Sequence, residues 1–168
     1  MERLQQGMRV SATALLQMLV LVAMACSTIV FSEPAPVDAF MLALIVGMPL
    51  LGIGAVGPVT RAALACWLLI VACGLLACAF SPGVGTAMKH QLVTLFLVLG
   101  AVALASFVAV SPERHATIVL GGYLIACLLA TVAAIVGYFR LVPGAYELFT
   151  NYGRARGTFK DPNVLGAA

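Results

Sequence analysis

Charge is what this chain has least of. Only 9% of its 168 residues are Asp, Glu, Lys or Arg, against about 25% in an ordinary soluble domain. Such a chain has too few polar groups to cover a water-facing surface, which excludes a soluble globular fold. The net charge of +3 is too small and too dispersed for a nucleic-acid-binding protein, so no nucleic-acid partner is expected. Histidine is nearly missing as well. His90 and His115 are the only two; they stand at the ends of apolar runs, on opposite membrane faces in the topology below, and cannot share a site. The five cysteines, Cys26, Cys66, Cys73, Cys78 and Cys127, include no Cys-x-x-Cys pair and have no histidine at ligand spacing. Cysteine within an apolar run behaves as a small apolar residue. The expectation is therefore packing, with no metal and no cofactor.

What is present is apolar. Hydrophobic residues make up 63% of the chain, and the mean hydropathy is +1.12. A hydrocarbon core of ~30 Å takes about 20 apolar residues per helix. Five runs qualify: Val10–Phe31, Ala39–Val59, Ala62–Phe80, Gln91–Val110 and Thr117–Phe139. The expected fold class is all-α, a polytopic transmembrane helical bundle of five spans plus the start of a sixth, with the lipid bilayer as its first partner. Residues 1–140 form the five-span region, 141–160 an outer interfacial segment, and 161–168 the opening of the sixth span. The first run follows Arg3 and Arg9, and Ala23-Met24-Ala25-Cys26 loosely resembles a cleavage site. The run is too long for a signal-peptide core, however, and reads as an uncleaved anchor.

Loop charges orient the bundle. With the N-terminus inside, the cytoplasmic side holds Arg3, Arg9, Arg61 and Arg114, while the outer loops between spans hold Lys89 together with acidic Glu33 and Asp38. That bias satisfies the positive-inside rule. The segment after the fifth run then lies outside, although it carries Arg140, Arg154, Arg156 and Lys160. Either the topology is inverted or those cations are kept outside for a reason other than topology. We favour the second, since the first helix and short loops usually dominate.

Within the spans there is almost no chemistry. No Asp, Glu, Lys, Arg or His falls inside any of the five runs, whereas ion-coupled transporters and proton pumps need such groups near mid-depth. Gln17 is the strongly polar side chain of the first run, with a packing hydrogen bond as its expected role. Small residues recur every fourth position in the fifth run (Gly122, Ala126, Ala130, Ala134) and in the fourth (Ala101, Ala105, Ala109). Such stripes permit close helix approach in lipid; intramolecular packing is the expectation and a dimer face the alternative. Gly47, Gly52, Gly54 and Gly57 with Pro49 and Pro58 mark the second run as bent or broken.

Beyond the fifth run the composition changes. Pro143 and Gly144 break the helix, and Tyr146, Phe149 and Tyr152 follow at intervals of three. This aromatic stripe suits a short helix in the membrane interface. Gly153 and Gly157 then bracket Arg154 and Arg156, and Asp161-Pro162 reads as the N-cap and first residue of a helix. Unpaired N–H groups at a helix start and nearby guanidiniums favour phosphate oxygens. The segment therefore reads either as a diphosphate cradle or as a solvated basic loop touching anionic head groups.

The stretch Arg154-Ala155-Arg156-Gly157-Thr158-Phe159-Lys160-Asp161-Pro162-Asn163 resembles the R-x-x-G-[TF]-F-x-[DN]-P-N signature of the O-antigen ligase and polysaccharide polymerase family. In that family the signature follows about five spans on the periplasmic side. The resemblance implies a bacterial inner-membrane glycosyltransferase that moves a glycan from undecaprenyl-diphosphate to lipid A core or a growing polysaccharide. It implies that Arg154 binds the diphosphate, with Arg156 assisting, while Gly157, Phe159, Asp161, Pro162 and Asn163 support the motif. Family members are more than twice this length and carry a large later periplasmic loop. The chain is accordingly expected to be the N-terminal portion of such an enzyme, and not to act alone. The rival from another class is a non-enzymatic multi-pass membrane protein, a permease subunit or packing partner.

Overall fold

The computed structural model describes residues 2–31, 34–52, 54 and 56–166, with side chains from residue 12 onward. Glu33, the side chains of Arg3 and Arg9, and Ala167-Ala168 of the expected sixth span lie outside the described residues. Helix accounts for 75% of the chain. The elements run α1 (Glu2–Ala25), α2 (Pro36–Leu51), α3 (Pro58–Cys78), α4 (Val84–Val110), α5 (Pro112–Tyr138), α6 (Ala145–Phe149), β1 (Thr150–Asn151), β2 (Arg154–Ala155) and α7 (Pro162–Leu165). The architecture is thus nearly all-α, with one two-stranded ladder among the described residues.

Three helices, α3, α4 and α5, are long and apolar enough to cross a membrane. Proline marks two of their starts: Pro58 opens α3 and Pro112 opens α5, at the position where a missing N–H costs nothing. The helix α4 begins at Val84, so Lys89 and His90 lie within its first turns rather than in a loop. The first expected span, Val10–Phe31, leaves the helix at Ala25, and the second, Ala39–Val59, leaves it at Leu51. Beyond Ala25 the chain turns to other partners: Thr28 Oγ1 donates to the Ala126 carbonyl, and Val30 N–H donates to the Thr158 carbonyl at 2.9 Å. The second run is broken, as its glycines suggested. It ends at Leu51, and Gly52 follows at φ +63, the left-handed cap that glycine adopts freely.

The chain divides into two compact units, residues 1–43 with 116–168, and residues 44–115. In the second unit, the Gln91 side-chain amide lies against Gly74, seating α4 on α3. The buried face of α4 consists of Val98, Gly100, Ala103, Ser106 and Phe107. Ala101, Ala105 and Ala109 are instead exposed, so the expected small-residue stripe of this helix is not its packing face. His115, read as an interfacial residue, is 4% exposed. Its ring stacks on Phe107 at 4.0 Å between centroids, and Nδ1 lies 2.6 Å from the Phe107 carbonyl oxygen. That pairing ties the first turn of α5 to the last turns of α4 within the second unit.

In the first unit, one face of α5 does most of the work. Gly122, Ala126, Ala130, Ala134 and Gly137 are all buried along it. Its first residue meets α1: a Cβ on Gly122 would stand 2.7 Å from Met24 Cβ and 2.9 Å from the Leu21 carbonyl oxygen. Close backbone approach is what small residues permit in lipid. This stripe is an intramolecular seat.

Candidate functional site

The rest of that seat is taken by the segment after α5. The helix ends in a Schellman motif: Arg140 N–H donates to the Gly137 carbonyl and Leu141 N–H to that of Val136. Arg140 occupies the left-handed position at φ +55, where glycine is usual and another residue costs roughly 1 kcal/mol or more. After Pro143, Gly144 at φ +78 turns the chain back, so that α6 lies on the end of α5. A Cβ on Gly137 would come within 2.5 Å of Phe149 Cβ. The Phe149 ring also meets Phe31 at 6.3 Å.

From Phe149 the chain forms a hairpin, with Thr150 opposite Ala155 and Asn151 opposite Arg154. Its two turn residues, Tyr152 and Gly153, have φ of +51 and +73, the signature of a type I′ turn. Tyr152 stands at this tip, 94% exposed. The three aromatics therefore do not share one helical stripe. Tyr146 carries the Arg140 guanidinium over its ring at 4.3 Å, Phe149 packs inward, and Tyr152 projects from the turn.

The motif then descends along α5. Gly157, at φ +58, lies against the Ala130 carbonyl oxygen, which a Cβ there would approach to 2.6 Å. Ala130 stands eight residues before Tyr138, the last residue of α5, or about 12 Å along the axis. The 27 residues of α5 span ~40 Å against a hydrocarbon core of ~30 Å. A helix of this length centred in a bilayer would carry Gly157 below the head groups. Irregular backbone survives at such depth only where protein satisfies it, and here it does. Arg156 and Gly157 N–H both donate to the Phe149 carbonyl, and Phe159 N–H donates to that of Arg156. Thr28 Oγ1 donates to the Ala126 carbonyl at 3.0 Å, beside the same loop.

These contacts sort the motif residues. Arg156 is half-buried, and its guanidinium donates from Nε and Nη2 to the Leu148 carbonyl at 3.2 and 2.9 Å. It is committed to holding the hairpin on α6. Gly157 supplies the close approach, and Phe159 is buried. Asp161 is the N-cap of α7, accepting from Asn163 N–H at 2.7 Å, with Pro162 at the first position. Pro162 and Asn163 thus shape the exit from the loop. Arg154 is different: its side chain is exposed and bonds to none of the described residues. Next to it, Ala155 lines a groove of about 280 Å³ with Ala134, Ile135, Tyr138, Phe139 and Leu165. Arg154 thus presents an exposed guanidinium from the hairpin, and its neighbour Ala155 borders a mainly apolar groove.

Arg140 is the residue that sequence reasoning counted only as charge. Its signal was the Pro143-Gly144 turn, which brings Tyr146 back over it. Ser27 Oγ and Thr158 Oγ1 are buried without a partner among the described residues, and no cluster of three His, Cys, Asp or Glu side chains there could hold a metal ion. Compared with known proteins, the chain matches no family model, no curated protein and no solved structure.

Proposed function

We propose that this chain forms the donor-binding portion of a bacterial inner-membrane glycosyltransferase similar to the O-antigen ligases and polysaccharide polymerases. The activity is transfer of a glycan from undecaprenyl-diphosphate to lipid A core or a growing polysaccharide. In that reaction an acceptor hydroxyl attacks the anomeric carbon and the diphosphate departs with the bonding electrons. A guanidinium at the departing oxygens stabilises the charge that develops there. The observation that supports this reading is Arg154, exposed, with no side-chain bond among the described residues and next to Ala155 of an apolar groove. Meanwhile Arg156, Gly157, Phe159 and Asp161 of the same motif hold the loop.

On this reading the chain crosses the membrane five times, with α1 and α2 completing the set begun by α3, α4 and α5. The N-terminus is cytoplasmic and residues after 140 are periplasmic. The four-to-one bias of Arg3, Arg9, Arg61 and Arg114 against Lys89 supports this orientation.

The test is glycan transfer in cells carrying variants at matched membrane abundance. Arg154→Ala should cut transfer by roughly tenfold for each 1.4 kcal/mol of lost transition-state binding, and Arg154→Lys should restore only part. Full activity of Arg154→Ala, or a cytoplasmic reporter signal from a fusion at Tyr152, would overturn the proposal.

A further inference from the structure

The geometry points to the hairpin tip at Tyr152 as a membrane anchor whose partner is the lipid head-group layer. The inference rests on α5 crossing a bilayer and is independent of the donor-site reading.

Three observations carry it. First, Tyr152 is an unusual residue for its turn. It takes the first central position of a type I′ turn at φ +51, where asparagine, aspartate or glycine is preferred. The fold gains no packing from the ring, since the residue is 94% exposed. A side chain kept at a backbone cost and without an internal contact points to a partner outside the chain.

Second, the tip lies at the right depth. Gly137 stands twelve residues beyond Ile125, the midpoint of α5, or about 18 Å along the axis. With α5 centred, the hydrocarbon core ends at ~15 Å and the head groups at roughly 20–22 Å. Phe149 packs on Gly137, which places it at head-group level. Tyr152 follows three residues later, a reach of at most ~10 Å.

Third, its surroundings suit lipid. Phe139, Leu141, Val142 and Leu148, near the same end of α5, are all exposed. The tip itself, Asn151-Tyr152-Gly153-Arg154, carries no carboxylate that would repel lipid phosphates. A tyrosine ring with its hydroxyl prefers this layer, apolar on one side and wet on the other. Tyr146 lies under the Arg140 guanidinium and Phe149 packs on α5, so of the three aromatics after α5 it is Tyr152 that reaches the bilayer.

Tryptophan fluorescence tests the depth. Trp67 is the chain's single tryptophan and stands near the middle of α3, 49% exposed, so the original chain supplies a mid-depth control. The double variant Trp67→Phe/Tyr152→Trp moves the reporter to the tip. Both proteins are placed in nanodiscs of phosphatidylcholine and phosphatidylglycerol. Quenching is compared for lipids carrying a nitroxide on the head group, lipids carrying one at mid-chain, and acrylamide in the water. The mid-chain nitroxide should be the stronger lipid quencher of Trp67, and the head-group nitroxide that of the tip tryptophan. Acrylamide should quench the tip severalfold less than it quenches free tryptophan. A tip quenched by acrylamide as fully as free tryptophan, or quenched best from mid-chain, overturns the inference.

Tyr152→Asn adds a test of sign. It creates the Asn-Gly pair that this turn prefers, so a hairpin that owes nothing to lipid should resist proteolysis near position 152 better than before. Loss of an anchor predicts severalfold faster cleavage in the same nanodiscs. Slower or unchanged cleavage overturns the inference. Neither measurement reads glycan transfer, so full activity of Arg154→Ala would end the donor-site reading and leave the anchor standing.

Discussion

Gly157 rests on the main chain of α5 at Ala130, so closely that a methyl group on it would lie 2.6 Å from the Ala130 carbonyl oxygen. The same glycine is at φ +58. Steric and conformational requirements coincide there, and no other residue type meets both.

Gly157→Ala should therefore lower stability by more than the ~1–2 kcal/mol that a left-handed L-residue costs by itself. Gly153→Ala provides the comparison, since Gly153 is at φ +73 with nothing within 4 Å of its added Cβ. Thermal melting in detergent should rank wild type above Gly153→Ala and Gly153→Ala above Gly157→Ala. Equal melting of the two variants would show that the contact with Ala130 does not constrain the loop.

Arg156 offers a test of geometry against charge. Its two donors converge on the Leu148 carbonyl, a fork that the lysine ammonium cannot reproduce. Arg156→Lys should loosen the hairpin nearly as much as Arg156→Ala, by about 1 kcal/mol, read as faster proteolytic cleavage near Tyr152. Wild-type protection in Arg156→Lys would mean that charge, rather than the bond to Leu148, is what the position supplies.

Thr28 is 1% exposed and gives its hydroxyl proton to Ala126. Thr28→Val keeps the shape and removes that donor, so the expected loss is about 0.5–1.5 kcal/mol. Thr28→Ala should lose more, because a methyl-sized gap is added. A Thr28→Val protein that melts with the wild type would remove this bond from the account of how α1 is held.

The three long helices were legible because their evidence is local. Apolar runs and the prolines at 58 and 112 sit within the segments that they define, and the expected ends differ from the observed ones by a few residues. Lys89 and His90 misplaced the start of α4 by suggesting a loop, yet a long basic side chain can lie along a helix end and reach polar surroundings. The small-residue rule succeeded in α5 and failed in α4 for one reason. Spacing reveals a smooth face but not whether anything lies against it.

The site was legible in part. Asp161 and Pro162 announced a helix start from their chemistry alone. The descent of the motif along α5 was not visible, since it depends on bonds such as Val30 to Thr158 that no periodicity encodes. The motif resemblance sets Arg154 ahead of Arg156, but the bond that ties Arg156 to the Leu148 carbonyl depends on the fold and has no signal in the sequence.

The bond between Thr28 and Ala126 also has a consequence for biosynthesis. Its partners are 98 residues apart in sequence, so the end of α1 leaves the ribosome long before its acceptor is made. Through that interval the Thr28 hydroxyl and the Val30 N–H must be satisfied by water, lipid head groups or the insertion machinery. The bonds of Thr28 and Val30, just beyond α1, are completed only when Ala126 and the basic loop are in place. Nascent chains stopped before Ala126 would thus hold α1 in an unfinished state, shallower in the bilayer or more open to water than in the mature protein.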